Sequence, residues 1–505
     1  MDRLNISLPA QHDYNDPTVE RDTGRLHARL TNLPLMDVAE SLRLVLGGLQ
    51  SLNEQKLDTD LRYRLMDVFR STAHRLFVTM DPVHLRQLAL SKSRREQAVE
   101  SVEQLLQAMA AGYKLIINEL YTAGNIKASR EVFGLSLNRC LEQLANALLD
   151  SYRFYRAVQP GLFAELHQLY RLARHHGLLD VMTEDEDDAG RQVTTAARYH
   201  AILLLSLTDP FRLAEGEVSI LQDVLAQQAG QCRVIPGNCR DGAGPGLFFV
   251  DLGGSAPPGI CSRMDTPVDV AEPYLLDARD ALLAIRERLE TTPARVREQS
   301  PEAIVLRRLL PEDDSAQQRR ESRHPDSRWV GLLHGLEHIH AWLSRAAGRK
   351  TDVNVDEPSP CRVVDTSKHG MGLAWEGGGT GDARVGELLG VIEGDMPPRL
   401  AIVRSVHICG DRGMELGVQL IPGNCAPVSC RPAGKEDDEA VHALFMPAGS
   451  DEQVGATIIA ARGLYEPGRR LSIDVSGREV HARTGERVSG GPVFDRFEFS
   501  SDDDG

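Results

Sequence analysis

The chain has 505 residues, 42% hydrophobic and 26% charged, a composition that suits a water-soluble protein with several cores rather than one. A formal net charge of -16 argues against non-specific binding to a nucleic-acid polymer or an anionic lipid surface, and no stretch approaches the roughly 18 uninterrupted apolar residues of a membrane-spanning helix. The opening MDRLNISLPAQHDYND lacks the basic and then apolar run of a signal peptide, so a cytoplasmic location is expected.

The first thirty-odd residues are polar and aperiodic and read as a loose leader, 1–35. From Met36 helical periodicity takes over: Val38, Leu42, Val45 and Leu49 recur at three- and four-residue spacing. Further helices are predicted at Asp60 to Met80, Ser91 to Thr122, Ser129 to Val158, Leu162 to His176, Thr194 to Ser206 and Gly216 to Gln228. Asp81-Pro82 marks a break, and the acidic run Met182 to Gly190 a solvated loop. Short loops between helices imply a helical bundle or array over 36–230.

Character changes near Cys232. Region 231–310 mixes β-rich fragments (Arg233 to Ile235, Leu247 to Leu252) with helices expected at Glu272 to Glu290 and Ile304 to Leu310. From Arg319, short alternating runs lie at Arg328 to Leu333, Arg362 to Asp365, Gly370 to Trp375, Leu388 to Ile392, Leu400 to Ile408 and Met414 to Leu420. Most are separated by Gly, Asp or Pro. Six short strands of this kind predict a small antiparallel barrel over 311–425, interrupted by an amphipathic helix in GLEHIHAWLSRAAGRK. A second small β module follows over 426–499, then an acidic tail, 500–505. The expected class is α+β and multidomain.

The eight cysteines form no CxxC pair and are expected to be reduced, mostly buried thiols; the spacing of Cys409, Cys425 and Cys430 fits a zinc site poorly. HGLEHIH places His334 and His338 four apart with Glu337 and His340 nearby, but it is not HExxH, and ordinary histidines are expected. No cofactor or metal is called for.

Two clusters carry chemistry. QQRRESRHPDSRW sets Arg319, Arg320 and Arg323 just before the first barrel strand, and guanidinium groups suit bidentate phosphate recognition and stacking on bases. In RVVDTSKHGMGLAW, Asp365 and Ser367 are alternate residues that share a face if the strand runs through them. The carboxylate can accept from the Watson–Crick N–H groups of guanine, and Gly370 lets backbone and ligand approach closely.

RRESR (Arg319 to Arg323) and DTSKHG (Asp365 to Gly370) resemble the RxxxR and [D/N]xSxxG signatures of the PilZ family of cyclic di-GMP receptors. Downstream, RLAIVRSVHICGDRGMELGVQLI looks like the remaining strands of a PilZ barrel. The resemblance covers about Arg319 to Pro422 and implies a six-stranded barrel that binds cyclic di-GMP through Arg319, Arg320, Arg323, Asp365, Ser367 and Gly370. The inserted helix lengthens the spacing between the motifs and either decorates the barrel or displaces the arginines. A helical N-terminus joined to such a barrel looks most like the FimW-type receptors, which implies a receptor or adaptor acting on a protein partner in surface attachment or type IV pilus behaviour. The alternative is a PilZ-like protein–protein scaffold without nucleotide. The chain has no GGDEF, EAL or HD-type signature and no nucleophile elbow, so an enzyme is not expected.

Overall fold

The computed structural model describes residues 4–34, 37–88, 90–185, 190–239, 244–261, 270, 272–310, 322–351, 357–378, 382–410, 413–433, 440–448, 455–475 and 477–501. The chain divides into two compact units, Met1–Pro210 with Glu215–Gln318, and Phe211–Ala214 with Arg319–Gly505.

The first unit is mainly helical. Its helices are α1 (Thr23–Thr31), α2 (Val38–Glu54), α3 (Thr59–Thr79), α4 (Pro82–Gln87), α5 (Lys92–Thr122), α6 (Arg130–Arg153) and α7 (Leu162–His175). Carboxylate and hydroxyl caps set several of the starts: Asp22, Asp58 and Ser91 each accept a first-turn N–H. The expected break at Asp81-Pro82 is a boundary of this kind, where Asp81 accepts from the Val83 N–H and Pro82 opens α4. From Leu105 to Ile117 α5 buries most of its side chains, as the central helix of a bundle must, and it packs against α2, α3 and α6. The buried Arg62 guanidinium closes the end of α2 by donating to the Leu52 and Gln55 carbonyls. The segment expected to be a loose leader carries α1, and residues before it lie hydrogen-bonded along the helices.

The acidic run is not all loop. Strands β1 (Met182–Glu184) and β2 (Gln192–Thr194) pair antiparallel and lead into α8 (Thr195–Leu207) and then α9 (Glu217–Gln228). Buried Asn138 of α6 holds this hairpin. Its Nδ2 donates to the Val181 and Val193 carbonyls, and its Oδ1 accepts from Thr183 Oγ1 and Arg198 Nε. Arg198 in turn pairs with Glu142 at 2.7 Å.

A four-stranded sheet follows, made of β3 (Arg233–Pro236), β4 (Leu247–Asp251), β5 (Gly259–Ile260) and β6 (Pro273–Asp277) in the order β3-β6-β4-β5. Then come α10 (Arg279–Thr291), α11 (Ala294–Arg297) and α12 (Pro301–Leu309). The helix expected from Glu272 thus begins as a strand: PYLLD is a short apolar run of ambiguous period, and pairing with β3 and β4 decides its state. Cys239 and Cys261 form a disulfide, correcting the expectation of reduced thiols; the sheet brings their Cα atoms to 5.2 Å, a distance that sequence spacing alone does not reveal. Cys409, Cys425 and Cys430 are outside any disulfide.

The second unit holds two closed barrels. The first comprises β8 (Trp329–His334), β9 (Ser359–Thr366), β10 (Gly370–Trp375), β11 (Leu388–Ile392), β12 (Arg399–Ile408) and β13 (Met414–Leu420), with two-residue β7 (His324–Pro325) added beside β9. The order β10-β13-β12-β11-β8-β9 closes through a β9–β10 pairing, giving the expected six-stranded antiparallel ring. The expected inserted helix is α13 (Gly335–Ala346). The C-terminal module is also a closed six-stranded barrel: β14 (Ala426–Pro432), β15 (Val441–Met446), β16 (Thr457–Ala461), β17 (Arg470–Val475), β18 (Arg478–Gly490) and β19 (Phe494–Ser501). One core joins the two barrels: Leu333, Ile339 and Leu343 of β8 and α13 pack with Leu444, Met446, Ile459 and Phe494. Among the described residues, no helix is long and apolar enough to cross a membrane.

Removing the Asn138 amide leaves two buried carbonyls, Thr183 and Arg198 short of partners. Asn138→Ala is therefore expected to cost about 2–3 kcal/mol in urea denaturation, against about 0.5 kcal/mol for an ordinary surface substitution. A second expectation concerns acid. His200 of α8 is buried, and desolvation pulls its pKa down to about 4 although its contact with the Ala229 carbonyl acts the other way. Stability from a histidine held neutral is whole above its unfolded pKa of about 6.5 and is lost as pH falls towards 4. Melting temperature should fall across that window, and His200→Leu should flatten the fall.

Candidate functional site

Along β9, Cys361 and Val363 are buried and Val364 is exposed, so strict alternation would send Asp365 into the barrel. The register slips instead: Leu373 of β10 stands opposite Val363 and Gly372 opposite Asp365, with Val364 as the extra residue. This bulge turns Asp365 onto the outer face, over Gly372, where a Cβ would lie 2.8 Å from Asp365 Oδ1. The next step brings in the other motif. β7 pairs His324 with Thr366 and Pro325 with Asp365, so the residue before it, Arg323, arrives beside the carboxylate. Arg323 Nη1 donates to Asp365 Oδ1 at 2.7 Å, the side chains being 33% and 27% exposed. Arg319 and Arg320 lie outside the described residues.

Ser367 and Gly370 form the β9–β10 turn. The Ser367 N–H donates to the Gly370 carbonyl at 2.9 Å, and the His369 carbonyl accepts from the Leu420 N–H at 2.9 Å, tying the turn to β13. A Cβ at Gly370 would stand 3.0 Å from the Val418 carbonyl and 3.5 Å from Ser367 Oγ. Gly370 and Gly372 are alternate residues of β10, so Asp365 and Ser367 border one outer face, although a bulge and a turn, not simple alternation, put them there.

That face continues beyond the two motifs. Gly417 of β13 stands opposite Gly372, and Ser405 of β12 stands opposite Gly417, across a second register slip between Val403 and Ser405. Gln419 stands opposite Gly370, and its Oε1 accepts from Arg404 Nε at 2.9 Å. The result is a flat glycine floor with Arg323 and Asp365 on one side and Arg404, Gln419 and Ser405 on the other. The segment Phe211–Ala214, which belongs to this unit, adjoins the second side: the Phe211 ring lies 4.3 Å from the His407 ring of β12. Desolvation first, and then the charge of Arg212, lower the Arg404 guanidinium below its ordinary value.

The sequence reading did not reach Arg404, Ser405, Gly372, Gly417 or Gln419. Alternate glycines in GMG, and the glycine of ELGVQ, carried a signal, because glycine inside a strand marks a bulge or a close approach. Arg404 and Gln419 meet only through the β12–β13 register.

The inserted helix decorates the barrel. α13 packs on β8 and β11 and against β14 and β15, so it does not come between Arg323 and Asp365. Its histidines go to packing. His338 Nδ1 contacts the His334 carbonyl, and His340 stacks on His442 with ring centroids 4.1 Å apart, while Glu337 bonds to His442. His334 stacks on Trp375 at 4.6 Å, and desolvation lowers its pKa. No group of side chains arranged to hold a metal ion occurs among the described residues.

Three family models match the chain: the N-terminal domain of cyclic-di-GMP receptor FimW at residues 24–237, its middle PilZ domain at 343–427, and its C-terminal beta-barrel domain at 428–501. The chain belongs to the FimW family. A curated relative, the cyclic-di-GMP receptor FimW of Pseudomonas aeruginosa, is 22% identical over 578 residues, covering 99% of this chain and 93% of the relative. No solved structure matches the chain. The FimW middle-domain match begins within α13, so β7, β8 and Arg319 to Arg323 precede it.

The Arg323–Asp365 pair is partly solvated and should contribute no more than about 1 kcal/mol to stability. Arg323→Ala is therefore expected to leave the urea midpoint of the second unit nearly unchanged. A loss above about 2 kcal/mol would make the pair structural.

Proposed function

We propose that the chain is a cyclic di-GMP receptor and that the glycine-floored outer face of its first barrel is the ligand site. The observation that carries this reading is the contact between Arg323 and Asp365, one from each motif, 42 residues apart in sequence. In this reading Arg319, Arg320 and Arg323 hold phosphates and stack on guanine. Asp365 accepts the guanine Watson–Crick N–H groups, Ser367 supplies a hydroxyl beside it, and Gly370 and Gly372 let the base lie close to the strand. Opening a partly solvated ion pair costs little, whereas a phosphate offers an arginine a bidentate, charge-assisted partner. Arg323 can thus exchange Asp365 for phosphate and leave the carboxylate to read the base. Arg404 lies across the floor, where a second phosphate would meet it.

The name of the Pseudomonas aeruginosa relative supports the ligand. The protein acts as a receptor or adaptor rather than an enzyme. It couples the messenger to a protein partner in surface attachment or type IV pilus behaviour, without a nucleic-acid polymer, a membrane span or a further cofactor. The cytoplasmic location follows from an intracellular messenger; the Cys239–Cys261 bond is unusual for that compartment. The second reading, a PilZ-like scaffold that binds no nucleotide, is favoured by Arg323 already having Asp365 as its partner and by the middle-domain match starting at residue 343.

Isothermal titration separates the two. Cyclic di-GMP should bind with a Kd of about 1 μM or tighter, and GMP and GTP far more weakly. Arg323→Ala and Asp365→Ala should each weaken binding by about 10- to 100-fold, the worth of one or two charge-assisted hydrogen bonds. An absence of binding heat from the unmodified chain would establish the scaffold reading. Unchanged affinity in both variants would move the site elsewhere.

A further inference from the structure

The N-terminal segment is held in the first unit by main-chain and side-chain bonds. The Gln168 side-chain amide faces the Asn5 main chain, and with its O and N exchanged it donates to the Asn5 carbonyl and accepts from the Asn5 N–H, each at 2.8 Å. Glu165 Oε1 accepts from the Ser7 N–H at 2.9 Å and from Ser7 Oγ at 2.8 Å. The His12 N–H donates to the Glu54 carbonyl, and the His12 carbonyl accepts from the Lys56 N–H, forming a parallel bridge at Gln55. The Gln55 side chain, 1% exposed, donates to the Tyr14 carbonyl at 2.7 Å and accepts from the Asp16 N–H at 2.9 Å. Side chains add to this: Gln11 Nε2 donates to the Asn53 and Gln55 carbonyls, and Asp13 pairs with Lys56 at 2.9 Å. The main-chain share of these contacts is of the kind by which grooves capture peptides.

The segment fills its groove poorly. Residues 5–9 line a half-open cavity of about 660 Å³, together with Ala108 and Ala111 of α5, Ala147 of α6 and Ala164 of α7. Two buried polar residues line it. Lys114, 5% exposed, pairs with Glu165 at 2.5 Å and contacts Ser7 Oγ, while Asn53, 3% exposed, leaves its Oδ1 without a hydrogen-bond partner. Leu8, above this space, is exposed. Alanines from three helices leave room for a large side chain, and the mixed lining suits an aromatic one with an O–H or N–H, tyrosine or tryptophan.

We propose that this groove is a binding site for an extended peptide of a partner protein bearing such an aromatic side chain, and that residues 5–16 occupy it in cis until displaced. The inference is independent of the nucleotide site. Because the cis segment competes, the apparent affinity for a peptide in trans is reduced by the fraction of time the groove is closed.

The probe is a labelled synthetic peptide of residues 4–16 carrying Leu8→Trp, followed by fluorescence polarisation. The receptor is the full chain carrying Ser7→Pro, which removes the N–H and hydroxyl that Glu165 holds. The peptide should bind this variant about tenfold or more tighter than the unmodified chain, and adding Gln168→Ala with Glu165→Ala should abolish binding. No binding to a folded Ser7→Pro chain, or binding indifferent to Gln168 and Glu165, overturns the proposal. A doubled mass for the Ser7→Pro chain also overturns it, in favour of exchange between copies. Should Ser7→Pro fail to fold, the full chain carrying Leu8→Trp decides. A higher melting temperature and blue-shifted tryptophan emission support a side-chain site over the alanines, and an exposed indole without stabilisation overturns it.

Discussion

A one-residue slip in β9 is the constraint on which the candidate site rests. Side chains on a strand alternate, so without the bulge at Val364 the carboxylate of Asp365 would point into a barrel lined by Val363, Met371 and Leu373. Burying an unpaired carboxylate there would cost several kcal/mol. The slip removes that cost and places Asp365 over Gly372, where the missing Cβ leaves room for it. β7 then has a place to pair, and Arg323 follows from it. Two motifs that look like independent strings of letters are joined by one local departure from β regularity.

The same feature explains what could be read from the sequence and what could not. Met414–Leu420 was legible because a strand with one wet face writes its burial as a period of two, and the wholly buried Leu388–Ile392 as a short apolar run bounded by turn residues. The break at Asp81-Pro82 was legible from the proline itself, which opens α4. Pairing was not legible. Closure of the C-terminal barrel depends on β14 meeting β17 and β16 meeting β19, and nothing local in HALFMPA or ATIIAARGLY specifies a partner. The strand at PYLLD and the hairpin that begins in the acidic run were missed for the same reason: their states are set by β3 and β4 in one case and by Asn138 and Arg198 in the other. Residues 4–16 form the limiting case. Their order comes from long-range partners such as Gln55, Glu165 and Lys56, many of which bond main-chain atoms, so no local periodicity in the segment announces it.

The inserted helix, which made the motif spacing look too long, has a structural role on the side of the barrel away from the glycine floor. Ile339 and Leu343 of α13 pack with Leu333, Leu388 and Leu400 of the first barrel and with Leu444, Met446 and Phe494 of the second. The two barrels therefore share a core instead of meeting at a polar interface, and a shared close-packed core resists relative motion. Covering β8 and β11 in this way leaves β9, β10 and β13 as the part of the ring whose outer face remains open.

One strand belongs to both regions. On its outer face β12 carries Leu400 and Ile402, which lie in the shared core, and then Arg404 and Ser405, which border the glycine floor. The register slip between Val403 and Ser405 falls at the point where the covered half gives way to the open half. A strand cannot shift at one end without disturbing its ladder, and side chains in a core packed to crystal-like density do not absorb displacement smoothly. Any ligand that draws Arg404 away from Gln419 acts on a strand whose other end is fixed among Leu333, Ile459 and Phe494. The shared core and the candidate site thus meet on β12, on either side of its register slip.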